Sequence, residues 1–139
     1  MSASPDSVYA RLGVRPVLNA WGTVTRVGGS RMHPDVLRAM DEASTSFVDL
    51  GELHAAAGRR VAQLLDADAA CITCGAAAGL AIAAAACIAG TDRASILRLP
   101  DTAGLRDEVI VLKSHRILYD QAVLLAGARF VEVGVTSAA

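Results

Sequence analysis

From Ala69 to Gly90 the chain carries no charged side chain, and this stretch limits the possible folds more than any other. It is long enough to cross a bilayer, and Gly75 and Gly79 stand in the G-x-x-x-G spacing that membrane helices use for close packing. The residues are mostly alanine, however, which gains little from lipid. Asp66, Asp68, Asp92 and Arg93 flank the stretch, and no aromatic belt marks its ends. A division into two elements fits better. Ala69 to Thr73 is an apolar run of strand length, and Ala76 to Ala89 is an alanine-rich helix closed by Gly90. The expectation is therefore a chain that does not enter the membrane.

The same alternation continues downstream. After a loop carrying Pro100, Asp101 and Gly104, Glu108 to Leu112 reads as a buried strand, Tyr119 to Ala126 as a helix stopped at Gly127, and Arg129 to Val133 as a further strand. The order βαβαβ, with strands that are continuous apolar runs, predicts an α/β fold with a mostly parallel sheet covered by helices. Upstream, Val14 to Ser30 is irregular, broken by Pro16, Gly22, Gly28 and Gly29. Pro34 suits a first helical turn, and Val36, Met40, Ala43 and Phe47 repeat at helical spacing. Asp49 and Glu52 form a capping-box pattern before a second helix with Leu50, Leu53, Ala57, Val61 and Leu64 on one face, ending near Asp66. The division is thus 1–66, a segment with two helices, and 67–139, an α/β portion. A hydrophobic fraction of 53% over 139 residues is ample for a packed core.

A formal net charge of -1 leaves no basic field to draw in nucleic acid or an acidic membrane, so the expected partner is a small molecule. Three cysteines and a start, MSASPDSV, that lacks a basic and apolar leader point to the reducing cytoplasm. Cys71 and Cys74 form a C-x-x-C pair. Cys71 falls within the first strand and is expected to face the core, which argues against redox chemistry; Cys87 is expected in the core as well. No second ligand pair has zinc-site spacing, so no metal is expected.

Two constellations carry candidate chemistry. Thr73-Cys74-Gly75-Ala76-Ala77-Ala78-Gly79 lies where a strand ends and a helix begins. Small residues there let the free N–H groups of the first turn and the positive end of the helix dipole hold a phosphate, with the Thr73 hydroxyl as a further donor. Close helix packing explains the same residues equally well. Neither a dinucleotide fingerprint nor a Walker loop is present. The second constellation, Lys113-Ser114-His115-Arg116, follows a strand at its carboxyl end, where ligands gather in parallel sheets. There His115 could lie over an aromatic ring, and Ser114 or Arg116 could meet a carboxylate or phosphate. His33 reads as a loop residue and His54 as helix surface.

The run Arg15-Pro16-Val17-Leu18-Asn19-Ala20-Trp21-Gly22-Thr23, then Gly28-Gly29-Ser30, Val48-Asp49-Leu50, Cys74 to Leu80 and Leu99-Pro100-Asp101, resembles the selenocysteine-synthase-like pyridoxal-phosphate enzymes. Glu108-Val109-Ile110, His115, Tyr119-Asp120 and Ala126-Gly127-Ala128 continue the resemblance, which spans about Val14 to Gly134. That family includes L-seryl-tRNA selenium transferase and D-glucosaminate-6-phosphate ammonia-lyase.

The resemblance implies the aspartate-aminotransferase fold, fold type I, with 67–139 as the first part of the large domain. It implies pyridoxal 5'-phosphate as cofactor, held by Thr73, Cys74, Gly75, Ala76 and Ala77, with His115 stacked on the pyridine ring. Asn19, Trp21, Thr23 and Arg26 would then lie near the substrate, a small amino acid or amino-sugar acid that loses ammonia or water, in a homo-oligomeric enzyme. The neutral surface argues against tRNA as substrate. Two departures matter. Cys74 stands where relatives carry serine or asparagine, and a thiol is a poor donor. Lys113 is the sole lysine, beside the ring-stacking histidine rather than at the Schiff-base position, so the chain is expected to be the amino-terminal part of such an enzyme and inactive alone. A phosphate-binding module without catalysis and a partner that pairs with a full-length relative are the alternatives.

Overall fold

The computed structural model describes residues 7–135, which divide into two compact units at Val48 and Asp49. In the first unit, Ser7 caps a single helical turn, α1 (Val8–Arg11), by accepting from the Ala10 N–H at 3.1 Å. The irregular segment that follows folds on itself through a 3-10 turn at Thr25–Val27. Gly28, at φ 90°, reverses the chain so that Val24 and Gly29 form an isolated antiparallel bridge. Helix α2 (Pro34–Ala43) begins as expected with proline in its first turn, and His33 is its cap, its ring nitrogen accepting from the Asp35 N–H at 3.3 Å. The expected helical repeat runs too far, because α2 stops at Ala43 and Phe47 lies beyond it, fully exposed. Ser44 and Thr45 hydroxyls donate back to the Asp41 and Glu42 carbonyls, the local competition that ends helices at such residues.

The second unit opens with α3 (Leu50–Leu65). Its cap is Asp49, which accepts from the Glu52 N–H at 2.9 Å, and it ends at Asp66 in the left-handed region, φ 50°. Helix α4 (Ala76–Ala89) and a shorter helix α5 (Arg93–Arg98) follow; α5 is absent from the sequence reading, although Asp92 caps it through the Ser95 N–H at 2.8 Å. Strands β1 (Glu108–Leu112) and β2 (Arg129–Val133) pair in parallel, from Glu108 opposite Arg129 to Leu112 opposite Val133. Between them the expected helix over 119–126 shrinks to a 3-10 turn, Leu118–Asp120, and the short α6 (Gln121–Leu124). Gly127 closes it as anticipated. Its φ is 88°, and a Cβ there would run into the Pro100 carbonyl and the Thr102 methyl.

Three expectations need correction. The run Ala69 to Thr73 forms no strand among the described residues, because a strand exists only with a ladder partner; the sheet holds β1 and β2 alone. Cys71 and Cys87 are exposed rather than in the core. Nor is β1 buried on both faces: Val109 and Val111 are half-buried, whereas Ile110 is 73% exposed.

Among the described residues the buried apolar ones are Ala62, Ala89, Ala122, Ala126 and Ala128, so alanine rather than leucine or isoleucine fills the interior. The apolar composition is sufficient for a core, yet the large side chains lie outside it.

The strand entries are tied together around Asp107. The Thr102 hydroxyl donates to one of its carboxylate oxygens at 2.9 Å and Arg129 Nε to the other at 3.1 Å, while the Arg129 N–H reaches the Asp107 carbonyl at 2.9 Å. The Thr102 hydrogen bond first, and Arg129 after it, hold the Asp107 carboxyl below its usual value of 3.8. A carboxyl depressed by folding stabilises the folded state above its unfolded value, and that contribution is lost as pH falls through the folded value. The gap in urea midpoint between the natural chain and Asp107→Asn is therefore expected to stay constant above about pH 5 and to close as pH falls below 3.8. Gly127→Ala, which forces a side chain into the Pro100 carbonyl at positive φ, is expected to cost about 1–3 kcal/mol in the same urea titration at neutral pH.

Candidate functional site

Helix α4 differs at its start from α2, α3 and α5. His33, Asp49 and Asp92 cap α2, α3 and α5 with side-chain acceptors, but α4 has Gly75 at its cap position and no side-chain acceptor. The first intrahelical bond runs from the Gly79 N–H to the Gly75 carbonyl at 3.0 Å. The N–H groups of Ala76, Ala77 and Ala78 therefore have no partner within the helix. A Cβ built on Gly75 meets nothing within 4 Å, so the space beside the cap is open. Its backbone, φ 157° and ψ 170°, lies where glycine sits without strain. With no charge between Ala69 and Gly90 to oppose an anion, the donors and helix dipole suit a phosphate group, and the residues present fit the phosphate end of the implied cofactor.

The side chains around this turn have local duties. Thr73 Oγ1 donates to the Gly75 carbonyl at 3.0 Å, so its proton shapes the loop and is not spare for a ligand. That hydroxyl lies over the first turn of α4, where a Cβ added at Gly79 would meet Thr73 Oγ1 at 3.5 Å, an ordinary van der Waals contact. Cys74 is exposed beside the cap.

His54, read from sequence as plain helix surface, belongs to this neighbourhood. Its Nε2 lies 2.8 Å from the Ile72 carbonyl and 4.0 Å from Cys71 Sγ. One turn further along α3, buried Gly58 faces the Ala70 carbonyl so closely that a Cβ would collide with it. His54 and Gly58, four residues apart, thus line one face of α3 that holds the segment leading into the loop. No local pattern in the sequence signals a contact across 18 residues.

His115 closes a 3-10 turn, Lys113–His115, directly after β1, and is exposed. Ser114 and Lys113 share that turn, and the Lys113 carbonyl accepts from the Arg116 N–H at 3.4 Å. Arg116 is not available to a ligand in the way the sequence suggested: its Nε binds Asp120 and its Nη1 binds Glu132.

In the first unit, Asn19 is engaged with its own backbone. Its side-chain oxygen accepts from the Trp21 N–H at 2.9 Å and its amide nitrogen donates to the Gly22 carbonyl at 2.7 Å, an Asx turn that sets the loop. That turn presents Trp21, 68% exposed, and Thr23; Arg26 lies in the 3-10 turn beyond and is likewise exposed. Among the described residues no three His, Cys, Asp or Glu side chains form a metal-binding group, and no helix is long and apolar enough to cross a membrane.

Comparison with known proteins relates the chain to enzymes. Over 96% of the chain the fold matches the solved structure of D-glucosaminate-6-phosphate ammonia-lyase with a TM-score of 0.89 and 36% identity, covering 37% of that protein. The chain is homologous to part of a lyase. The D-glucosaminate-6-phosphate ammonia lyase of Salmonella typhimurium strain 14028s is 37% identical over 137 residues, 96% of this chain and 37% of the enzyme. A 5'-C-glycyluridine monooxygenase-decarboxylase from a Streptomyces species is 42% identical over 134 residues, 93% of this chain and 34% of that protein. The chain spans about a third of the length of these relatives, and no family model matches it.

Proposed function

We propose that this chain forms the phosphate-holding part of a pyridoxal 5'-phosphate enzyme of fold type I, in the selenocysteine-synthase-like group. The reaction we assign is loss of ammonia or water from a small amino acid or amino-sugar acid. The observation that carries the reading is the match, at 36% identity and a TM-score of 0.89, to an ammonia-lyase named for an amino-sugar acid phosphate. The uncapped start of α4 supports it independently.

In this reading the amides of Ala76 and Ala77, with Gly75 leaving room, hold the cofactor phosphate. Thr73 keeps the loop in shape through the Gly75 carbonyl, and Cys74 contributes its backbone rather than its thiol. His115, exposed on the turn after β1, would be the residue that meets the cofactor ring. When bound, the cofactor supplies an electron sink that weakens bonds beside the substrate amino group. Arg26 offers a guanidinium for a substrate carboxylate or phosphate, Trp21 and Thr23 shape the substrate's surroundings, and Asn19 holds their loop. The large apolar side chains left exposed in both units support a homo-oligomeric assembly.

The 42% identity to a monooxygenase-decarboxylase favours a second reading, in which the same cofactor site serves loss of a carboxyl group from a glycyl-bearing substrate. An amino-acid-like group is common to both readings.

Two experiments test the reading. Ala76→Asp places a carboxylate in the first turn of α4, where it favours the helix but repels an anion. It is expected to weaken binding of pyridoxine 5'-phosphate at least about tenfold by calorimetry while leaving the circular dichroism of the helices unchanged. Equal affinity in both proteins would remove the phosphate site from the proposal. Lys113, on an exposed turn, is expected to take up no stoichiometric label when the chain is reduced with borohydride at low pyridoxal 5'-phosphate and mapped by mass spectrometry. Full labelling there would make it the cofactor lysine and overturn its exclusion.

A further inference from the structure

We infer that Arg116 is a positioning residue that fixes the turn carrying His115, and with it the orientation of the imidazole. The inference rests on the reading of His115 as the residue that meets the cofactor ring. The turn has little of its own to hold it. Its closing backbone bond, Arg116 N–H to the Lys113 carbonyl, is 3.4 Å, at the long end for such a bond, and the residues of the turn are exposed. The side chain that follows supplies the restraint.

Arg116 Nε donates to Asp120 Oδ2 at 2.5 Å, Nη1 donates to Glu132 Oε1 at 2.5 Å, and the guanidinium carbon stands 4.5 Å from the centre of the Phe130 ring. Glu132 and Phe130 belong to β2, and Asp120 to the turn before α6, so one planar group joins two separate elements. Asp120 also accepts from the Ile117 N–H at 3.1 Å, which holds the backbone on the far side of Arg116. The Asp120 bond is partly shielded, with the Arg116 side chain 34% and that of Asp120 13% exposed, so it is screened less than an open surface pair, whereas Glu132, at 42%, is more open.

His115 is therefore held on one side by the β1 ladder through Leu112 and on the other by the clamp at Arg116. A lysine keeps the charge of Arg116 but neither the forked donors nor the flat face over Phe130. The clamp is thus specific to arginine.

The test uses the full chain with Arg116→Ala, Arg116→Lys, His115→Ala and the double variant His115→Ala/Arg116→Ala. The first readout needs no ligand: the imidazole resonance of His115 is expected to shift and broaden in both Arg116 variants, while those of His33 and His54 hold still. The second is calorimetry with pyridoxine 5'-phosphate. Arg116→Ala and Arg116→Lys are expected to weaken binding about tenfold, and the double variant is expected to bind no more weakly than His115→Ala, because Arg116 acts through His115.

An unmoved His115 resonance in both Arg116 variants would overturn the inference, as would losses that add in the double variant. If His115→Ala binds the probe as tightly as the natural chain, it is the reading of His115 that fails. The resonance then decides on its own whether Arg116 sets the turn.

Discussion

Asp107 ties together the entries of the two strands on which the second unit is built. Its carboxylate joins the Thr102 hydroxyl from the loop after α5 to the Arg129 side chain that opens β2, and its carbonyl takes the Arg129 N–H. Thr102 Oγ1 also lies 3.3 Å from the Gly127 carbonyl, and Gly127 packs on the Pro100 carbonyl. Two strands forming a parallel pair have no hairpin to set their register, so something outside the ladder must bring their first residues level. Here a short polar knot does so at Glu108 and Arg129. With an interior made of alanine, apolar packing alone would locate these elements loosely, and the directional bonds of the knot carry correspondingly more of the specificity.

What the sequence made legible was mostly what is encoded locally. Pro34, Asp49 and Gly127 mark element ends through their own backbone chemistry, and each does so in the structure. The strands at 108–112 and 129–133 were plain from their apolar runs. The failures concern what an element packs against. Ala69 to Thr73 has the composition of a strand but no partner here, and the apolar repeat through Phe47 outlasts its helix because Ser44 and Thr45 turn back on the backbone. The missed α5 was within reach, since Asp92 and Ser95 form a cap that periodicity over so short a helix does not reveal.

The candidate site divides along the same line. The small residues from Gly75 to Gly79 announce a helix start without a side-chain cap, and the structure has one there. Arg116 was read as a ligand-binding group because charge beside a strand end looks free in one dimension. In three dimensions Asp120 and Glu132 have claimed it. His54 reads as helix surface in the sequence because its partner, the Ile72 carbonyl, has no signature: every residue carries one.

The contact of α3 with the segment at 70–72 links two parts of the molecule that a residue-by-residue view keeps apart. Gly58 has no side chain to act as a cushion, so backbone rests on backbone, and His54 pins the chain a turn away. Such a joint has almost no slack. A helix of 16 residues behaves as a stiff rod, and any rotation or slide of α3 passes undamped into the entrance of the loop at Thr73. The geometry in front of α4 is in that sense a property of α3, and natural variation along that helix would reshape the loop at Thr73 and Gly75 from a distance.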